Sequence, residues 1–387
     1  MQCTDSSMDR VPGFEPGGWR FEPSSVRIFY KQPMNKIILL SHTRSSFVQA
    51  FYALHKKGKE HAGLFYEEVI RKGRPPTLDH PAFRNAHSLL SLLSEETEIS
   101  QLIEADNKSD GFTTKLLLRT RDNLEIETVL IPMQSGNTVC ISTQVGCRQG
   151  CTFCETGKMG LIRHLKTEEI TSQIYMAKHV FRFSFTNVVF MGMGEPFDNY
   201  DSVLQAARIL IDPKAFGLGK RNVTISTSGK IEEIRRFTKE LGDMPNLAVS
   251  INAPTEESRS KLMPINRKNP LKELYLALQE YNLETGRQIL AAYVLIKGVN
   301  DSLEHAHQLV SYLKGLDVKV NIIPYNPQSR DQYMPPDKEQ IELFVGSLRS
   351  QGVQTLLRVT KGRQIMAGCG QLGNLNLKRV RTSLPVA

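Results

Sequence analysis

The stretch Gly146-Cys147-Arg148-Gln149-Gly150-Cys151-Thr152-Phe153-Cys154 sets three thiols in a C-x3-C-x2-C spacing. Three thiolates this close can ligate three irons of a cubane [4Fe-4S] cluster, which leaves the fourth iron open to a reacting molecule. A structural zinc ion is the competing reading, with Cys140 or His164 as fourth ligand, since zinc accepts mixed cysteine and histidine sets. Zinc sites usually pair two short clips across a longer loop, whereas here three ligands crowd one loop and no second clip follows. A disulfide framework fits least: the 387 residues hold six cysteines, at 3, 140, 147, 151, 154 and 369, and no signal peptide is expected ahead of them.

From residue 138 onward, short β-branched runs alternate with amphipathic stretches of the length expected for βα units. Strands are predicted over 139–143, 187–191, 222–227, 247–251, 289–296 and 320–325, with a flanking strand over 355–359. Six such units predict an α/β fold whose parallel sheet curls into a partial (β/α)6 barrel. In parallel barrels chemistry gathers at the C-terminal ends of the strands. The polar motifs fall at those ends. The cysteine loop follows strand one, Gly192-Met193-Gly194-Glu195-Pro196 strand two, and Ser226-Thr227-Ser228-Gly229 strand three. Ser250-Ile251-Asn252-Ala253-Pro254 follows strand four and Pro324-Tyr325-Asn326-Pro327 strand six.

The barrel with its C-terminal segment is expected to occupy 139–387. Before it, runs at 115–119 and 125–131 flank an Arg121-Asp122-Asn123 turn and predict a β-hairpin extension over 111–138. Apolar stretches at 46–54 and 86–93 predict a small helical domain over 34–110. Residues 1–33, with Pro12, Pro16, Gly17, Gly18 and Pro23, read as a disordered leader. Lysine and arginine total 49 against 40 acidic residues, a net charge of +9, which points first to nucleic acid as a polyanionic partner. The basic residues cluster at 55–59, 71–74 and 378–381, although each cluster reads equally well as a solvated surface. No apolar run approaches the roughly 18 residues needed to span a bilayer. A cytoplasmic protein without a membrane partner is expected.

The cysteine spacing resembles the radical S-adenosylmethionine (SAM) superfamily, where the open iron binds SAM and passes one electron to its sulfonium. Gly192 to Glu195 resemble the glycine-and-acid motif that follows the second strand in that superfamily. The resemblance implies that Gly194 and Glu195 meet the SAM amine. It also implies that Ser226, Ser250, Ile251, Asn252 and Asn326 line the ribose and carboxylate. Across 110–387 the likeness narrows. Glu127-Thr128-Val129, Cys140, the three-cysteine loop, Met263-Pro264-Ile265-Asn266, Pro324-Tyr325-Asn326-Pro327 and Cys369-Gly370-Gln371-Leu372 together resemble the RlmN/Cfr family of RNA adenine methyltransferases, closest to its RlmN branch.

That resemblance implies methylation of C2 of an adenine in 23S rRNA, with the tRNA adenine beside the anticodon as a second candidate target. The basic domain over 34–110 would grip RNA, two SAM molecules would be used per turnover, and flavodoxin or ferredoxin would donate electrons. C2 lies between two electron-withdrawing ring nitrogens, so it cannot displace a methyl from SAM directly, whereas a thiolate can. The family roles fall on Cys369 as methyl carrier, Cys140 as the thiol that resolves the adduct through a transient disulfide, and Glu127 as proton acceptor. Methylation at C8, as in Cfr, is the nearest rival, and a zinc-stabilised RNA-binding protein is the rival from another class. Two departures stand out. Asn252 replaces the histidine of the family's Ser-Leu-His-Ala-Pro, and 65–73 only weakly echoes its Trp-x-Tyr-Lys-Gly element.

Overall fold

Short runs of valine, isoleucine and alanine form strands buried on both faces where each is followed by a helix that covers the sheet. A computed structural model describes residues 36–134, 136–240, 245–328, 332–358 and 361–373. The expected leader and the basic run at 378–381 lie outside the described residues. The description begins with strand β1 (Ile37–Ile38) and helices α1 (Arg44–His55), α2 (Lys59–Tyr66) and α3 (His87–Glu96). Thr43 caps α1 by accepting a hydrogen bond from Ser46 N, and Lys56 ends it in the left-handed conformation. Strand β2 (Thr97–Glu98) then pairs in parallel with β1.

Three antiparallel strands follow, β3 (Ile103–Ser109), β4 (Thr114–Arg119) and β5 (Glu125–Ile131). The predicted hairpin is β4–β5. Strand β3 falls within the stretch expected to be helical, and its sequence explains why it escaped notice. Ile103-Glu104-Ala105-Asp106-Asn107-Lys108-Ser109 is mostly exposed, lacks apolar alternation and forms an edge blunted by charge.

Strand β6 (Thr138–Cys140) is antiparallel to β5 and opens the parallel portion. A separate ribbon, β7 (Gln144–Cys147) and β8 (Gly160–His164), brackets the cysteine loop and the short helix α4 (Glu155–Met159). The βα alternation continues through α5 (Thr167–Tyr175), β9 (Asn187–Phe190), α6 (Tyr200–Ile211), β10 (Val223–Thr227), α7 (Ile231–Lys239) and β11 (Asn246–Ser250). It proceeds through α8 (Glu256–Leu262), α9 (Leu271–Thr285), β12 (Ile289–Leu295), α10 (Leu303–Leu313), β13 (Val318–Pro324), α11 (Lys338–Ser350) and β14 (Gln354–Leu357). The sheet order is β14-β13-β12-β11-β10-β9-β6-β5-β4-β3, parallel from β14 to β6. This is the predicted partial barrel with its flanking strand.

Two features position the site. The helices α1 to α3 bury Phe47, Phe51, Phe65 and Tyr66 together with Tyr175 and Ile209 of the barrel helices, so the N-terminal helices share a core with the barrel. Hydrogen bonds from Thr171 Oγ1 to Leu40 O (2.6 Å) and from Arg44 N to Asp212 Oδ2 (2.9 Å) fix that junction. The segment 361–373 leaves β14 at one edge of the sheet, yet it is bonded to the hairpin near the other. Lys361 Nζ donates to Pro132 O, and Lys115 Nζ donates to Met366 O (3.3 Å). The sheet is therefore curled enough for one strap to join its two sides.

Candidate active site

The cysteine loop rests on the end of α8, where Thr152 N donates to Leu262 O at 3.0 Å. Cys147 is buried and Cys151 and Cys154 are half-buried. Burial pushes all three thiols up, and the charges of Cys151, Cys154 and Glu195 push Cys147 further. These groups therefore crowd one small volume as protonated thiols, from which metal binding displaces the protons. Among the described residues, no three His, Cys, Asp or Glu side chains converge on a single metal ion. A cubane asks for no such convergence, because each thiolate ligates its own iron. The side chains considered as a fourth zinc ligand are not gathered with the three cysteines into one metal-binding group among the described residues. His164 Nδ1 lies 2.9 Å from Gln144 Nε2, and Cys140 sits with Cys369.

Each strand end contributes differently. Gly194 (φ +106°) passes so near strand β7 that a Cβ would fall 2.6 Å from Gln144 Cβ, so here glycine serves the close approach of two chain segments. Glu195 is buried, and its oxygens accept from Phe197 N (3.0 Å) and Ser228 N (2.7 Å), tying the end of β9 to that of β10. Burial raises its pKa. Ser228 Oγ, beside this carboxylate, is buried and makes no hydrogen bond of acceptable geometry, and Asn326 Oδ1 is likewise orphaned. Buried oxygens without partners just beyond the C-terminal ends of β10 and β13 are what a polar ligand such as SAM would satisfy.

Ser226 and Ser250 are half-buried at the ends of β10 and β11. Ile251 packs its side chain into the core, donates its N–H to Ala292 O and accepts from Arg259, so it supports the edge from beneath. Asn252 adopts a left-handed conformation (φ +56°), which asparagine tolerates better than most residues. Its Oδ1 accepts from Val294 N (2.8 Å), and its Nδ2 points at Met263 Sδ (3.2 Å). The departure from histidine is thus absorbed by internal bonding.

The motif around Cys369 is held mainly by its backbone. Asn326 Nδ2 donates to Cys369 O (3.0 Å), while Gln328 Nε2 donates to both Phe153 O (2.7 Å) and Gly370 O (3.0 Å). Glu155 N donates to Gly370 O (2.8 Å), and Thr156 Oγ1 to Leu372 O (2.5 Å). Gly370 has φ +83°, and a Cβ there would stand 3.1 Å from Phe153 O, so only glycine fits against the cysteine loop without a shift. Gln371 folds back under the turn, accepting from Gly368 N (2.9 Å) and donating to Pro327 O (2.6 Å).

Glu127, on β5, completes the arrangement. Its Oε1 pairs with Lys115 Nζ (2.7 Å) and its Oε2 accepts from Gly373 N (2.7 Å). Its strand also pairs with β6 so that Val129 faces Cys140. The structure therefore brings Cys369, Cys140, Glu127 and the cysteine loop into one neighbourhood. Sequence reasoning missed Gln328 and Lys115, although Gln328 directly follows the Pro324-Tyr325-Asn326-Pro327 motif. It also missed Arg358, whose guanidinium is held up by the charges of Cys369 and Cys140.

Burial, aided by the charge of Cys369, pushes the Cys140 thiol up to about 12, against a pull downward from Arg358. Only the thiolate is alkylated. Iodoacetamide at neutral pH should therefore modify Cys140 at least about 100-fold more slowly than it modifies the free thiol of glutathione added as an internal standard. Peptide mass mapping over time reads the two rates, and equal rates would show the Cys140 environment to be wrong.

The chain matches the radical SAM superfamily over residues 141–310. It is 55% identical over 343 residues to a protein named probable dual-specificity RNA methyltransferase RlmN 1 from Protochlamydia amoebophila, covering 89% of this chain and 96% of that one. It is 42% identical over 304 residues to dual-specificity RNA methyltransferase RlmN 1 of Myxococcus xanthus, covering 77% and 84% of the two chains. Among solved structures, a radical SAM methyltransferase from Sphaerobacter thermophilus superposes with a TM-score of 0.79 at 37% identity, covering 87% of this chain and 99% of that one. The site geometry agrees with these likenesses, and the chain belongs to the RlmN family of radical SAM RNA methyltransferases.

Proposed function

We propose that this protein methylates C2 of an adenine in 23S rRNA and, as a second target, the tRNA adenine beside the anticodon. The observation that carries the reading is the lacing of the Cys369 carbonyl to Asn326 and of the Gly370 carbonyl to Gln328 and to Glu155 beside the cysteine loop, with Cys140 and Glu127 on two paired strands. The family implies SAM and an iron–sulfur centre, and the donor set fits a [4Fe-4S] cluster on Cys147, Cys151 and Cys154. When bound, that cluster supplies the electron that cleaves SAM to a 5′-deoxyadenosyl radical.

The chain's own residues do the rest. Cys369 Sγ attacks the methyl of one SAM and keeps it as a thioether, with S-adenosylhomocysteine leaving. After a second SAM supplies the radical, a hydrogen atom leaves that methyl group, and its carbon bonds to C2 of the adenine. One electron passes to a one-electron acceptor of the flavodoxin or ferredoxin class or back to the iron–sulfur centre, and the C2 proton passes to Glu127. The Cys140 thiolate then attacks Cys369 Sγ. An S–S bond forms, and the carbon departs with the S–C electron pair and takes up a proton as the product methyl. A reductant must reopen the disulfide, and a one-electron donor such as flavodoxin or ferredoxin must recharge the cluster.

The exposed Lys56, Lys57 and Lys59 and the exposed Arg71, Lys72 and Arg74 give the N-terminal helices cationic surfaces suited to RNA phosphates. Mass spectrometry of nucleosides from rRNA and tRNA of cells with and without the gene tests the reading. The expected difference is 2-methyladenosine in both pools. Finding 8-methyladenosine instead, or no difference, would overturn it.

A further inference from the structure

Arg259 is the largest fully buried side chain among the described residues, with 0% exposure. Guanidinium has five N–H donors, and here all five end on neutral oxygens. Nε donates to Ile251 O (3.1 Å), Nη1 to Asn266 Oδ1 (2.8 Å) and Asn269 O (3.4 Å), and Nη2 to Ser228 O (2.7 Å) and Ser250 O (3.0 Å). The side chain thus staples the ends of β10 and β11 to the turn after α8. Satisfied donors do not cancel the charge, however, and a buried cation without a counter-ion is strongly penalised. The acid nearest in its network, Glu256, is reached only through Asn266, whose Nδ2 donates to Glu256 Oε2 (2.7 Å).

What lies one helical turn away is the metal-binding loop. Leu262 follows Arg259 by three residues on α8, and its carbonyl receives Thr152 N, between Cys151 and Cys154. Burial lowers the Arg259 pKa, and Tyr312, Cys151 and Glu256, in their ionised forms, oppose that shift. A cluster bound by three thiolates would place an anion beside that loop, and one more negative still on reduction.

We propose that the Arg259 guanidinium is the resident counter-charge of the metal centre on the Cys147–Cys151–Cys154 loop and sets its reduction potential. It is a positioning residue, since every donor is spent on the protein and none remains for cofactor or substrate. A fixed positive charge in a poorly screened interior favours the reduced centre and so raises its potential. The inference rests on those three cysteines ligating the cluster. Iron and sulfide quantitation of the wild-type protein tests that reading separately.

Potentiometric titration followed by electron paramagnetic resonance, on reconstituted full-length protein at low ionic strength, tests the proposal. Arg259→Gln should shift the midpoint to a more negative potential. Arg259→Lys, which keeps the charge but loses the fork, should leave the midpoint in place while lowering the melting temperature. Glu256→Gln, which removes an acid from the same network, should shift the midpoint the opposite way. Unchanged midpoints in Arg259→Gln and Glu256→Gln would reduce Arg259 to a scaffold staple and overturn the proposal. Should Arg259→Gln fail to fold, Glu256→Gln against Arg259→Lys still decides, because coincident midpoints for those two also overturn it.

Discussion

Cys369→Ala removes RNA methylation altogether, a loss of at least about a thousandfold, while iron content and the cluster's visible absorption stay at wild-type levels. The size of the effect follows from the chemistry of C2, which has no polar route to a methyl group, so nothing substitutes for the thioether. Retention of iron follows from the proposed ligand set of Cys147, Cys151 and Cys154, which does not include residue 369. Anaerobic assay of 2-methyladenosine alongside iron quantitation gives both numbers. Methylation surviving in Cys369→Ala would rule out the thioether route for this protein.

The second large effect separates the two halves of the cycle. Cys140→Ala should carry the reaction as far as the protein–RNA adduct and stop there, so product falls below about one methyl per chain and a covalent complex accumulates. Denaturing gels show the complex as a slowed band. Nuclease digestion followed by peptide mass spectrometry should place a modified adenosine on Cys369. Normal turnover without adduct would show that another group opens the thioether. Burial pushes the Cys140 thiol up, so in the proposed cycle it must lose its proton before it can open the adduct.

Much of the fold was legible in the sequence, and what was not has physical causes. The parallel strands announced themselves because they are buried on both faces, and so appear as short β-branched runs between amphipathic helices. Strand β3 did not, since an exposed, charged edge carries no apolar period. The three cysteines were readable from spacing alone. The contact of Glu127 with Gly373 spans 246 positions in the chain, and no local pattern signals it. Asn252 looked like a change at the cofactor edge, and the structure shows an amide committed to Val294 N. Arg259 gave no sign either: a lone arginine in Glu256-Glu257-Ser258-Arg259-Ser260-Lys261 reads as surface, and only the fold buries it.

The strap that carries Cys369 is gripped through main-chain atoms: the carbonyls of 369, 370 and 372 and the N–H of Gly373. None of these bonds uses the sulfur. The address of residue 369 is therefore independent of its cargo. In the proposed cycle that sulfur is in turn free, methylated, joined to RNA and joined to another sulfur, and these states differ in bulk, charge and polarity. A carrier fixed by its side chain would have to be reseated at each stage. Here the mooring stays the same while the load changes.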